Sequence, residues 1–252
     1  MSTTTTRSAS TAILITEARL TLREPGTIFW VIAFPTTLLV ILGLVPSFRE
    51  ANGDLNGQRV IDLYVPVAIL LGMIMASLQV MPHVLSNYRE RGILRRLRVT
   101  PVRPGNLLTA QIVVYAAAST ISAVLVLAVG NLGYSVQLPD HLIGYAIAFV
   151  LALASTLALG ATLAAIAPTS KATTAIATCV TFPTMFTAGL WVPVQAMPDL
   201  LRRIVESTPM GAGAEALNTA ALGDMPEIVD LAVVAGWSIV FVTLAVRYFR
   251  WE

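Results

Sequence analysis

Between Arg89 and Pro104 the chain reads Arg-Glu-Arg-Gly-Ile-Leu-Arg-Arg-Leu-Arg-Val-Thr-Pro-Val-Arg-Pro, placing six arginines within sixteen residues. On a helix, Ile93, Leu94 and Leu97 share one face, and Arg91, Arg95 and Arg98 fall on another. Thr100-Pro101 stops that helix, because proline disfavours helical backbone in the residue before it. A short rigid amphipathic element of this kind can present a few side chains to a partner. By charge alone, an anchor on anionic lipid is the better-favoured reading, and the order of the residues is what shifts the balance.

Bond-breaking chemistry finds little support elsewhere. A phosphate-binding loop needs Gly-x-x-x-x-Gly-Lys followed by Ser or Thr. Lys171, the one lysine, follows Ser170 and precedes Ala172, so no such loop exists. Cys179 is the single cysteine, and with two distant histidines it makes no recognisable metal site or internal disulfide. No Ser–His pair or set of aspartates suggests intramembrane proteolysis. No catalytic residue, metal or cofactor is expected in this chain.

Those residues must be positioned by apolar elements. Of 252 residues, 56% are hydrophobic and 12% charged, about half the charge of an ordinary soluble domain. That balance excludes a soluble enzyme, a disordered chain and a nucleic-acid binder, and implies an integral membrane protein. A membrane-crossing helix needs about 20 mostly apolar residues. The charge-free stretches predict six spans, at about 28–45, 63–88, 107–132, 143–167, 172–192 and 228–246. Pro168, Thr169 and Ser170 mark a tight hairpin between the fourth and fifth. The expected fold class is an all-α membrane domain over residues 1–252.

Fifteen of the sixteen basic residues are arginine. With the N-terminus inside, twelve basic residues face the cytoplasm and four, Arg49, Arg59, Arg202 and Arg203, face outward. The positive-inside rule therefore places both termini in the cytoplasm. Residues 10–24 predict a helix lying in the membrane surface, with Ala12, Ile13, Thr16 and Leu20 on one side. Glu17, Arg19, Arg23 and Glu24 supply its polar groups, and Pro25–Gly26 bends the chain into the first span. In the external, net acidic segment 193–230, Asp199 is expected to cap a short helix over Leu200–Val205. A second short helix is predicted over Gly211–Leu222.

The predicted span interiors hold no Asp, Glu, Lys or Arg, which argues against ion coupling and for an external energy source. Polar residues do align: Gln79, His83 and Asn87 in the second span; Gln111, Tyr115, Ser119 and Ser122 in the third; Thr174, Thr178, Thr181 and Met185 in the fifth. Helix–helix hydrogen bonding accounts for such rows as readily as substrate contact does. His83 reads as an interfacial histidine near the inner end of its span.

The order Arg-Glu-x-Gly-x-Leu-x-Arg-Leu-x-x-Thr-Pro, filled by Arg89, Glu90, Gly92, Leu94, Arg96, Leu97, Thr100 and Pro101, resembles the cytoplasmic loop of permease subunits of drug- and polysaccharide-exporting ABC transporters. The permease class of daunorubicin-resistance exporters is the nearest in pattern. Many members carry an acidic residue where this chain has Arg95. Gly189, Pro193, Pro198 and Pro209 are similar to the family's external signature, although Met210-Gly211-Ala212 replaces the usual aromatic after the last proline.

This resemblance implies a coupling helix seated in a separate ATPase subunit, with Glu90, Arg91, Gly92, Leu94, Arg95, Arg96, Leu97, Thr100 and Pro101 at the contact. ATP and magnesium would then belong to that partner. It also implies two permease copies, or one with a homologous permease, working with two ATPase subunits in a bacterial plasma membrane. The second and fifth spans of the two copies would face each other, making Met75, Gln79, Thr178, Thr181 and Met185 the expected path lining. Their mixed chemistry suits a hydrophobic or amphipathic cargo, and multidrug efflux is the leading expectation. Lipid or polysaccharide precursor export, a non-transporting membrane anchor or assembly protein, and a channel or ion-coupled carrier are the rivals.

Overall fold

The computed structural model describes residues 3–51, 53, 57–93 and 105–248. Among them the regular structure is helical, apart from one bridge between Ala51 and Arg59. Helix α1 covers Thr3–Arg23. Glu24 then adopts extended backbone, and Pro25 opens α2 (Pro25–Gly43), where its missing N–H would have had no partner in any case. The bend expected at Pro25–Gly26 is therefore a real break between two helices.

Helix α3 (Val60–Glu90) is the axis of the molecule, with 89% of its most apolar stretch buried. Around it stand α4 (Gly105–Tyr134), α5 (Leu142–Ile166) and α9 (Ile228–Tyr248), with α9 packed along α5. With α2 these make five helices, among the described residues, long and apolar enough to cross a membrane. Exposed Ile121, Val124, Val150 and Ile239 give the outer faces an apolar surface, as lipid contact requires. The chain is a multi-pass membrane protein.

Helix α6 (Ser170–Thr187) is shorter and carries six threonines besides Ser170 and Lys171. It does not meet the same length and composition standard. It stops at Thr187, where the sequence pattern runs on to 192, because Gly189 turns left-handed (φ 87°). Gly189 N–H then donates to Phe186 (3.0 Å) and Leu190 N–H to Met185 (3.1 Å), closing the helix in a Schellman turn.

Two wide π-helical turns interrupt the spans, Phe29–Ala33 in α2 and Met75–Val80 in α3. Each runs up to a proline, Pro35 and Pro82, that cannot donate to the ordinary helical ladder. The second turn also admits α5 closely, because Gly160 lies against the Ser77 carbonyl.

Helices α7 (Asp199–Glu206) and α8 (Pro209–Ala221) occupy the segment predicted to hold two short helices. Pro198, not Asp199, takes the cap position of α7. Asp199 stands in the first turn without a capping hydrogen bond, where the helix dipole still favours its charge. Thr208 caps α8 by accepting from Gly211 N–H at 3.2 Å. Alanine-rich α8 sinks into the core, with Gly213 facing Ala152 and Leu70.

Candidate functional site

Three contacts gather around the ends of the arginine-rich loop. Helix α3 closes there by a local rule: Gly92 takes left-handed backbone (φ 67°) and its N–H donates to Arg89 at 3.0 Å. That explains the glycine in the motif. One turn earlier, Arg89 donates to the Ala167 carbonyl at the end of α5. Glu90 accepts from Ser170 N–H at 2.7 Å and from the Ser170 hydroxyl at 2.8 Å. Thr169 caps the same helix start, accepting from Ala172 N–H at 3.2 Å. Adjacent residues of α3 thus grip both sides of the α5–α6 hairpin. Leu94, Arg95, Arg96, Leu97, Thr100 and Pro101 lie outside the described residues; Arg91 follows Glu90 as an exposed side chain.

The second contact was not legible as such in the sequence. Glu17 of α1, read there as one of the helix's polar groups, is only 6% exposed and points inward. Its carboxylate accepts from the Tyr88 hydroxyl (3.0 Å) and from the Gln111 side-chain amide. Burial pushes the Glu17 carboxyl above its ordinary range, against the lowering effect of the Tyr88 hydrogen bond, and nearby Glu24 adds to the rise. Ala12, Thr16 and Leu20 of the expected apolar side are exposed instead. The cause is that α4 offers a polar partner, Gln111, at that point of the helix. Asn106, also on α4, donates to the Ser10 hydroxyl at 3.0 Å. Helix α1 is therefore tied to both limbs of the loop, through Tyr88 before it and Asn106 and Gln111 after it.

The third contact is the seam between α3 and α6. Gln79 donates to Thr181 (2.9 Å), the Ser86 and Thr173 hydroxyls share a hydrogen at 2.6 Å, and His83 Nδ1 lies 3.4 Å from the Thr174 hydroxyl. With Glu90–Ser170 these form one antiparallel polar row, because 79, 83, 86 and 90 share a helical face. Of the residues expected to line a path, Met75 is buried, Thr181 is buried in this seam, and Gln79 and Met185 are partly buried. Only Thr178 stands on the open face of α6, beside Cys179 and Phe182. Asn87 makes no contact in the row. In α4 the expected row is buried, yet the Ser119 and Ser122 hydroxyls have no hydrogen-bond partner.

At the opposite end, two arginines are paired with carboxylates. Arg59 binds both Asp62 oxygens (2.9 and 2.7 Å) and reaches the carbonyls of Tyr134 and Ser135, each at 3.1 Å. Arg202 pairs with Glu206 (2.6 Å) and Glu215 (3.4 Å), and Trp237 donates to the Ser207 carbonyl at 3.0 Å. Among the described residues, no cluster of His, Cys, Asp and Glu could hold a metal ion. The arrangement fastens helix ends to one another.

The profile of the ABC-2 type transporter family matches residues 9–222, from within α1 to the end of α8. Among curated proteins nothing matches the chain.

Proposed function

Because the chain belongs to the ABC-2 type transporter family, we propose that it is the permease subunit of an ATP-driven exporter of the daunorubicin-resistance class. Two copies, or one with a homologous permease, work with two ATPase subunits that bind ATP and magnesium. Helix α6 serves as a fifth span between α5 and α9, giving six crossings with both termini in the cytoplasm of a bacterial cell. Helix α1 then lies in the inner membrane surface, and α7 and α8 stand at the outer end.

One observation carries this reading: the double grip of Arg89 and Glu90 on Ala167 and Ser170. A push on the loop that follows Glu90 would be passed at once to α3, to the α5–α6 hairpin and, through Tyr88 and Glu17, to α1. A close-packed interior transmits such a displacement instead of absorbing it. Closing of the ATPases on ATP supplies the push, and α3 tilts with α6 to switch access. Thr178 and the open face of α6 meet the cargo, a hydrophobic or amphipathic drug.

The test is reconstitution of the chain with its ATPase in vesicles. Leu97→Ala and Arg96→Ala should each depress drug-stimulated ATP hydrolysis while leaving the complex intact. Stimulated hydrolysis that is unchanged in both variants would overturn the coupling assignment. Stimulation by a lipid-linked glycan and by no drug would transfer the chain to precursor export.

A further inference from the structure

We propose that the trench between α1, α2 and α4 binds one anionic phospholipid of the inner leaflet, as a resident of the folded chain and not as cargo. This goes beyond the export reading, from which it takes only the name of the leaflet. A cavity of about 310 Å³ lies against α1, walled by the first turns of α2 and by α4. Its volume falls at the lower end of the range for ligand sites, about 300–1,000 Å³. Buried Val31, Val114 and Ala118 form its floor, and exposed Leu22, Val113 and Ile121 its rim. A flat apolar face touches many lipids in turn, whereas a trench meets one chain on several sides and multiplies its contacts.

Toward the start of α4 the trench continues as a second hollow of about 290 Å³, which shares Leu14 and Val113 with it. Ser10, Thr11, Asn106 and Thr109 make that end polar. From Asn106 to Ile121 the two together follow α4 for about 22 Å, at 1.5 Å per residue. One leaflet's hydrocarbon is about 15 Å deep, half of the bilayer core. With α4 standing across the bilayer, the groove passes from head-group level at Asn106 to acyl-chain level at Ile121. It is polar, then apolar, in the order a phospholipid presents. Thr27, a buried hydroxyl in the apolar wall, already donates to Glu24 at 3.2 Å, so a chain seated there strands no donor.

Charge at the rim selects the head group. Ile15, Arg19 and Leu22 form one exposed stripe of α1, spaced i, i+4, i+7, beside the trench residues Leu14 and Ala18. Arg23, also exposed, follows Arg19 one turn on. Among the described residues neither arginine makes an ion pair. Of the nearby carboxylates, Glu17 faces inward to Tyr88 and Gln111, and Glu24 accepts from Thr27. Two such arginines favour a phosphate without a compensating cation, as in phosphatidylglycerol, over phosphatidylcholine. Their long stems let the guanidinium groups stay at the level of the phosphates while the helix beside them meets lipid.

A chain seated in the trench braces α1 against α4 from the lipid side, as the Glu17–Gln111 hydrogen bond fastens it from within. The lipid thereby joins the contacts that hold α1 to both limbs of the arginine-rich loop.

The test is native mass spectrometry of the full chain in detergent micelles, without ATPase or ATP, titrated with phosphatidylglycerol or with phosphatidylcholine of the same acyl chains. The chain should retain phosphatidylglycerol about tenfold or more above phosphatidylcholine. Arg19→Gln combined with Arg23→Gln should remove most of that preference. Ala117→Trp, which fills the trench from its exposed rim, should lower retention of phosphatidylglycerol even with both arginines present. All three positions are exposed, so folding is kept, as thermal unfolding verifies. Retention of neither lipid, equal retention of both by the parent, a preference that survives the double arginine variant, or retention indifferent to Ala117→Trp would overturn the proposal. Since no nucleotide or partner takes part, such a failure would leave the export reading standing.

Discussion

Glu90, in the last turn of α3, accepts two hydrogen bonds from Ser170 in the first turn of α6, at 2.7 and 2.8 Å. One residue therefore both ends a helix long and apolar enough to cross a membrane and restrains the start of α6, at the entrance to the arginine-rich loop. In the proposed exporter this contact carries movement and not chemistry. Glu90→Gln should lower the number of cargo molecules exported per ATP while hydrolysis persists, since the charge-assisted bonds weaken. Ser170→Ala should do the same to a lesser degree, and the double variant should add little to Glu90→Gln. Parallel measurement of transport and phosphate release in vesicles checks this; an unchanged ratio in Glu90→Gln would refute it.

Buried Glu17 makes the docking of α1 depend on pH. Its carboxyl is held above the ordinary range chiefly by burial, so in that interval the folded chain binds more protons than the unfolded one. Stability should therefore decline as pH rises from the usual carboxylate range through the raised value, and level off above it. Glu17→Gln should flatten this dependence and match or exceed the parent's melting temperature at neutral pH. Thermal unfolding in detergent across pH 4–8, an interval of about four units around the carboxylate range, checks the sign.

Close approach of α5 to the wide turn of α3 requires a glycine. A Cβ at Gly160 would lie 2.0 Å from the Ser77 carbonyl oxygen, which is backbone and cannot swing aside. Gly160→Ala should destabilise the chain by about 1–3 kcal/mol, the usual cost of overpacking, or more. At Gly236 no atom lies within 4 Å of such a Cβ, so Gly236→Ala should be neutral or slightly stabilising. Equilibrium unfolding of the pair distinguishes a steric cause from a general effect of alanine.

The seam between α3 and α6 should be worth an ordinary membrane hydrogen bond at each rung. Thr181→Val leaves the Gln79 amide without its 2.9 Å partner and should cost about 0.6–2 kcal/mol. Unfolding measurements on Thr181→Val, Gln79→Leu and the double variant give the coupling energy. A coupling near zero would show that the pair is not a working contact.

Cys179 is the chain's only cysteine and stands exposed on the open face of α6. If two copies meet across that face, a short bifunctional maleimide should join them into a covalent dimer in membranes. Cys179→Ser should abolish the product. Reaction of Cys179 with a monofunctional maleimide, without any dimer, would place the copies' contact elsewhere.

Composition and spacing alone determined the class of this protein. Too few charges for a water-exposed surface dictate a membrane location, and long charge-free runs can satisfy their backbone there only as helices. The breaks at Pro25 and Pro168 were equally legible, because proline acts through its own backbone; the left-handed turn at Gly92, inside the stretch read as one helix, was not. What tertiary structure decided is the role of individual polar side chains. Glu17 belongs to an amphipathic pattern whichever way it points, and only α4 passing behind it, with Gln111 in reach, makes it buried. Gln79 and Thr181 lie about a hundred residues apart and meet because α3 and α6 run antiparallel. Leu14 and Val113 carry no motif at all; folding alone brings both to one groove. A sequence records which groups can form a hydrogen bond, but the low-dielectric surroundings that make each one matter exist only once the helices have packed.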